Sequence, residues 1–228
     1  MDKRELPDLI INGVSGGAGG TYNSVRIDGV GKVTGPIVTR IFKGNGHMNL
    51  KNDLSAEEAE CNGTMKVLGH LRFNSLKVDG MITVGESIRG ESCTLHGMLN
   101  IKGDCELEDF AGEGSFSVGG LLSAGHVDFK LQGQGKAHEI GVESLVIRQT
   151  NSGVWSKMLS GIIPKLRSEL RARTIEGDFI DLEYTTADVI RGNIVIVGPG
   201  CTVERIEYRD QITVHPEAKI GKVEKIGD

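Results

Sequence analysis

Glycine returns at a fixed interval of 17 residues through the first half of this chain, at Gly29, Gly46, Gly63, Gly80, Gly97 and Gly114. The repeat extends beyond glycine. Four residues before each stand Val25, Phe42, Ala59, Leu76, Cys93 and Phe110, and four residues after stand Val33, Leu50, Val67, Val84, Ile101 and Val118. Eight residues after stand Ile37, Leu54, Leu71, Ile88, Cys105 and Leu122. Apolar positions within a unit fall two apart, the period of a strand. Glycine-prone positions such as Gly35, Gly69, Gly103 and Gly120 separate them and offer corners.

A unit of this length is too short for a helix pair and suits one coil of a parallel β-helix, with about three short strands and three corners. Equivalent residues then stack in columns about 4.8 Å apart. One coil cannot bury its inner face alone, so each depends on its neighbours. The repeat fixes the all-β solenoid class but not its hand. Composition agrees: 33 glycines serve corners, and 4% aromatics suit a thin interior with little room for rings.

The periodicity predicts a lead-in over residues 1–21, a first β-helix segment over 22–150, an inserted helix over 151–173 and a second β-helix segment over 174–228. In the lead-in, Asp8–Gly13 reads as a short strand and Gly16–Gly20 as a flexible hinge. The latter lacks the Lys-Ser/Thr and strand-to-helix context of a phosphate loop. The acidic run Asp53–Glu60 has helix propensity, yet the repeat passes through it unbroken, so it reads as an exposed edge. Near Val127 the phase slips by two, which predicts a coil with a small insertion, and Ser144–Ile147 opens a further coil.

Within 151–173, Trp155, Met158, Leu159, Ile162, Ile163, Leu166 and Leu170 follow helical spacing. Ser152 is placed to cap this helix and Pro164 to kink it. Lys157, Lys165, Arg167, Arg171 and Arg173 face only Glu169, a basic patch in a chain of net charge −5. That overall charge argues against nucleic-acid binding. Cys61, Cys93, Cys105 and Cys201 form no CxxC pair and read as small buried residues of a reducing compartment. Neither a secretory leader nor 18 consecutive apolar residues is read, which predicts a cytoplasmic protein.

The glycine-anchored coils are followed by Ile175-Glu176-Gly177-Asp178, Thr185-Thr186-Ala187-Asp188-Val189-Ile190-Arg191-Gly192, Ile196-Val197-Gly198-Pro199-Gly200 and Ala218-Lys219-Ile220-Gly221-Lys222-Val223. Together these resemble the bactofilins, bacterial polymer-forming cytoskeletal proteins, in the variant found in Firmicutes. The resemblance spans about residues 22–228, and the Thr-Thr-Ala-Asp-Val segment is its most specific part. It implies a right-handed parallel β-helix, polymerisation end to end without nucleotide, and a scaffold for partner proteins, often at the membrane, in cell shape or motility. The chain departs from many members in its longer β-helix and its inserted helix. It also opens on Met1-Asp2-Lys3-Arg4-Glu5, where membrane-binding members often carry a short hydrophobic N-terminus.

Physical reasoning reaches the same expectation, because each end of a β-helix leaves an unpaired strand edge over an apolar cross-section. Ile212, Val214, Ile220 and Val223 are the expected self-assembly contact. Trp155, Lys157, Met158, Leu159, Ile162, Ile163, Lys165, Leu166 and Arg167 are the expected contact with membrane or partner, either packed on the β-helix or lying in an anionic bilayer surface. The expected partners are other copies of the chain, cytoskeletal or membrane-associated proteins, and the inner face of the cell membrane. No catalytic, cofactor or metal residues are expected. The six histidines scatter over different phases, and the 17-residue unit lacks the strict six-residue step of hexapeptide acyltransferases. Asp28, Asn45, Asn62, Asp79, His96 and Glu113 read as a solvent-facing corner column. The alternatives are a β-helix adaptor that does not polymerise and, more remotely, an acyltransferase.

Overall fold

The computed structural model describes residues 6–150 and 168–227. The chain divides into two compact units, Met1–Phe110 and Ala111–Asp228. Each unit is an all-β parallel solenoid.

In the first unit, β1 (Leu9–Gly17), β2 (Gly20–Val33), β3 (Ile37–Leu50), β4 (Leu54–Val67), β5 (Leu71–Val84) and β6 (Ile88–Ile101) follow one another, each pairing in parallel with the next. The offset between partners is 17 residues from β2 to β6, as in Gly29 on Gly46 and Gly46 on Gly63. It is 16 between β1 and β2, where Gly13 lies on Gly29. Pairing lapses once per coil, at Asn23, Arg40, Glu57, Asn74 and Glu91, where the chain turns. A second bend falls at the repeating glycine and a third at the short link between strands. Each coil therefore has three stretches, as the periodicity predicts.

The repeating glycines are required by geometry. Gly29, Gly46, Gly63, Gly80, Gly97 and Gly114 have φ between 114° and 137°. At Gly29, Gly46, Gly63, Gly80 and Gly97, a Cβ would also lie 2.0–2.4 Å from the carbonyl oxygen of the glycine one coil below. Side-chain strain and backbone collision exclude other residues at the same point.

The inward columns are those read from the repeat. Val25, Phe42, Ala59, Leu76 and Cys93 are buried, as are Val33, Leu50, Val67, Val84 and Ile101. Glu57 and Glu58 are exposed on β4 while Ala56 and Ala59 point inward, so the acidic run is an outward face of a strand. The strand read over Asp8–Gly13 is present and runs on further, whereas the hinge differs from expectation. Leu9–Gly17 is the first strand of the ladder, and Gly16–Gly20 is packed on the next coil instead of forming a hinge. A Cβ at Gly16 would sit 2.8 Å from the Lys32 carbonyl oxygen, and one at Gly19 would sit 2.5 Å from the Gly35 carbonyl carbon. These glycines serve close backbone approach.

β7 (Cys105–Val118) runs across the boundary between the units. The second unit continues with β8 (Leu121–Lys136), β9 (Glu139–Gln149), β10 (Glu169–Leu182), β11 (Thr185–Val197), β12 (Thr202–Val214) and β13 (Lys219–Lys225). Its register is less regular: 18 residues between β8 and β9 (Leu121 on Glu139), 15 between β10 and β11 (Thr174 on Val189), and 16 widening to 17 at a bulge between β11 and β12. The long coil is the one with the predicted slip near Val127, and Ser144–Ile147 lies on His126–Phe129 as a further coil. Phe116 and Phe129 meet edge to face inside it, with ring centroids 5.2 Å apart.

Between β9 and β10 the offset becomes 35, as in Glu139 on Thr174. The same offset joins Gln134, Gly135 and Lys136 of β8 to Glu169, Leu170 and Arg171 of β10. The described ladder thus keeps one phase on both sides of residues 151–167. Gln149 Nε2 donates to the Ser168 carbonyl oxygen at 3.1 Å and closes the neck. The expected helix over 151–173 lies mostly outside the described residues, but its last part is corrected: Glu169–Arg173 begins β10. Leu170 is fully buried, stacked between Gly135 and Thr185, so the helical spacing it completes is overridden by ladder pairing.

Candidate functional site

The outermost layer of the second unit carries the candidate site. Its geometry follows from the columns beneath it. Ile140, Ile175, Ile190 and Ile206 stack on one another and are buried, and Val223 is the next residue in that column. Ile147, Leu182 and Val197 form a second buried column that ends in Val214. Leu145, Ile180 and Val195 lead to Ile212, and Ala187 and Val203 lead to Ile220. The four expected assembly residues are therefore the outermost members of four inward columns.

Their exposure follows from that position. Val214 is 41% exposed and Val223 46%, whereas the residues beneath them are buried. Ile212 and Ile220 are half-buried. β13 covers β12 from Thr202 to Tyr208, and among the described residues no strand pairs on the outer side of Gln211–Val214. Burying side chains of this size is worth about 1.5–3 kcal/mol each, so this face gains from a further layer.

The rim is charged. Arg191 bridges Glu176 at 2.6 Å and Glu207 at 2.5 Å, and Arg205 approaches Glu207 at 3.2 Å. Lys222 pairs with Glu224, and that contact draws the half-buried Glu224 carboxyl below its ordinary value. Lys219, Lys222 and Lys225 punctuate the outermost strand. Nearer the neck, Arg148 donates to Asp181 Oδ1 at 2.9 Å and reaches Asp181 Oδ2 as well, tying β9 to β10.

Other expected features separate clearly. Trp155, Lys157, Met158, Leu159, Ile162, Ile163, Lys165, Leu166 and Arg167 lie outside the described residues. Asp28, Asn45 and Asn62 form a surface ladder: Asn45 Nδ2 donates to Asp28 at 2.7 Å and Asn62 Nδ2 to Asn45 at 3.0 Å. The Asn45 amide and the Arg26 guanidinium lower the Asp28 carboxyl. The four cysteines are free and buried. Burial pushes the Cys61 and Cys93 thiols up to about 12 and raises those of Cys105 and Cys201. Among the described residues, no three His, Cys, Asp or Glu side chains gather as metal ligands, and no helix is long and apolar enough to cross a membrane.

Comparison with known proteins adds two relatives. Over 110 residues the chain is 37% identical to the uncharacterized protein YhbE of Bacillus subtilis (strain 168), covering 48% of this chain and 44% of that protein. Over 108 residues it is 32% identical to the uncharacterized protein YhbF of the same organism, covering 47% of this chain and 42% of that protein. The matched stretch spans less than half the length of either curated relative. No protein-family model and no solved structure matches the chain.

Proposed function

We propose that this chain is a non-enzymatic scaffold of the bactofilin type, which assembles by stacking end to end without nucleotide and positions partner proteins at the inner face of the cell membrane. The observation that carries this reading is the apolar cross-section formed by exposed Val214 and Val223 with half-buried Ile212 and Ile220. Residues that are core in every coil below are left open in the last one. A second copy supplies the missing layer at low entropic cost, because both surfaces are already ordered. A right-handed coil accords with the strong preference of parallel crossovers for that hand.

The test is Val214→Arg with Val223→Arg. Both positions are open to solvent, so the fold is expected to persist, with an unchanged far-ultraviolet circular dichroism spectrum. Filaments seen by negative-stain electron microscopy for the parent should disappear. Filaments of unchanged length in the variant reject this contact.

Membrane attachment is assigned to residues 151–167, which hold Trp155, Lys157, Lys165 and Arg167 and no carboxylate. Apolar and cationic residues in one segment suit an anionic bilayer surface. Liposome sedimentation checks this: Trp155→Glu should release the protein from anionic vesicles. Binding that ignores both lipid charge and this substitution removes the membrane from the proposal. The lysines of β13 favour a second reading, an adaptor that stays small, since lysine on an edge strand discourages pairing. Sedimentation velocity at micromolar concentration distinguishes a growing assembly from a fixed small species.

A further inference from the structure

Asparagine is followed by glycine three times, at Asn12-Gly13, Asn45-Gly46 and Asn62-Gly63, and each pair falls at the same phase of its coil. This dipeptide is chemically labile, because glycine has no Cβ to keep its backbone nitrogen away from the asparagine side-chain carbonyl. The three pairs share one chemistry and differ in their surroundings.

Asn45 and Asn62 are held in place. Asn45 Nδ2 donates to Asp28 Oδ1 at 2.7 Å, and Asn45 Oδ1 accepts from Asn62 Nδ2 at 3.0 Å. Asn62 Nδ2 also donates to Glu60 Oε1 at 3.0 Å. Their strands, β3 and β4, are paired on both sides. A Cβ at Gly46 or Gly63 would stand 2.3 Å from the glycine carbonyl oxygen of the coil below, so a cyclic product has no room there. Asn12 differs in each respect. It is exposed, and its side-chain amide has no hydrogen-bond partner among the described residues. Among those residues β1 is paired on one side only, with β2. Gly13 has a φ of 73°, and no atom lies within 4 Å of an added Cβ. An edge strand of this kind opens locally far more often than strands in the middle of a stack.

We infer that Asn12 is a site of self-modification, which converts with time to aspartate and isoaspartate and so charges the outer edge of β1. Hydroxide takes the proton of the Gly13 nitrogen, and that nitrogen attacks Asn12 Cγ. The new C–N bond closes a cyclic imide. The Cγ–Nδ2 bond breaks, and Nδ2 leaves as ammonia with a proton from water, which restores the hydroxide. Water then opens the imide. Cleavage at Cγ gives aspartate in the ordinary backbone, and cleavage at the Asn12 carbonyl carbon gives isoaspartate, whose backbone runs through Cγ.

Either product sets a carboxylate on a strand that carries none, beside Asp28 in the ladder. Like charges directly opposite each other weaken strand pairing. Isoaspartate also adds a methylene to the backbone between Asn12, paired with Asp28, and Gly13, paired with Gly29, so the register cannot continue. A β1 edge aged in this way is a poor partner for a second β1. That last consequence rests on the end-to-end reading above; the conversion itself does not.

The test incubates the full chain in mildly alkaline buffer, with and without urea, and follows the three pairs by peptide mass spectrometry. In urea all three should convert at similar rates. In the folded protein Asn12 should convert several-fold faster than Asn45 or Asn62. Equal rates at the three positions of the folded protein overturn the assignment, and so does an Asn12 that stays intact while the urea-treated chain converts. Sedimentation velocity then separates the conversion from its effect. The aged parent and fresh Asn12→Asp should both assemble several-fold less than the fresh parent. Asn12→Gln, whose longer side chain closes the ring slowly, should assemble equally well fresh and aged. Conversion without loss of assembly rejects the effect on the edge and leaves the modification standing. A fresh parent that never assembles rejects end stacking, while the mass readout still decides the fate of Asn12.

Discussion

A single atom decides the character of this chain. At Gly63 the backbone has a φ of 126°, and the carbonyl oxygen of Gly46 lies 2.3 Å from where a Cβ would stand. Gly63→Ala must both strain φ and push apart two coils, so we expect a loss of roughly 2–4 kcal/mol in urea unfolding. Gly141→Ala is the control: its φ is not in the left-handed region, and the nearest atom to an added Cβ is Leu121 Cδ1 at 4.0 Å. That variant should stay within about 0.5 kcal/mol of the parent. Equal losses at both positions contradict the proposed origin of the repeat. The glycine column was legible in the sequence because its cause recurs unchanged in every coil. Gly16 and Gly19 were not legible in the same way. They stand outside the 17-residue phase, and the carbonyl groups that exclude a side chain there belong to residues 16 positions further on, invisible to local composition.

At the scale of elements, what repeats could be read and what interrupts the repeat could not be read fully. The acidic run at Asp53–Glu60 has the composition of a helix, and the unbroken phase correctly assigns it to a strand. Leu170 completes a helical spacing that begins outside the described residues, yet it belongs to β10, because burial over Gly135 rewards it more than helix propensity does. The start of β10, next to Ser168, depends on Gln149 and on the third stretch of β8, neither of which is near it in sequence. This geometry yields a prediction. The ladder is already closed on both sides of residues 151–167, so replacing them by a short Gly-Ser linker should leave the solenoid in place. Closing a shorter loop costs no more entropy than closing the native one, and the midpoint of urea unfolding should move by less than about 1 kcal/mol equivalent. Loss of cooperative unfolding in this deletion shows instead that the solenoid needs the segment for its core.

At the scale of the whole molecule, the outer edges of the ladder differ in chemistry. β1 reads Leu-Ile-Ile-Asn-Gly-Val-Ser-Gly-Gly and carries no charge, whereas β13 holds Lys219, Lys222, Lys225 and Glu224. The face above β12 and β13, however, exposes more core, since Val214 and Val223 are open while Ile11 on β1 is buried. One edge is thus uncharged but better closed, and the other apolar but guarded. Two modes of stacking make opposite demands on these edges. If like pairs with like, each edge meets only its own copy, and the contacts at β1 and at β13 are independent. Blocking the second with Val214→Arg and Val223→Arg then leaves the first intact, and assembly halts at a dimer. If β1 of one copy meets β13 of the next, both edges enter every contact, and the same substitutions leave a monomer. The isologous mode lets two β1 edges match without an unpaired charge, and its second contact sets the lysines of β13 against their own copies, so that contact depends on the apolar Val214 and Val223. Sedimentation velocity of the doubly substituted protein should therefore give a dimer, and Ile10→Lys on that background should reduce it to a monomer. A monomer before Ile10→Lys is added would mean that the ends stack head to tail and that the filament has a direction.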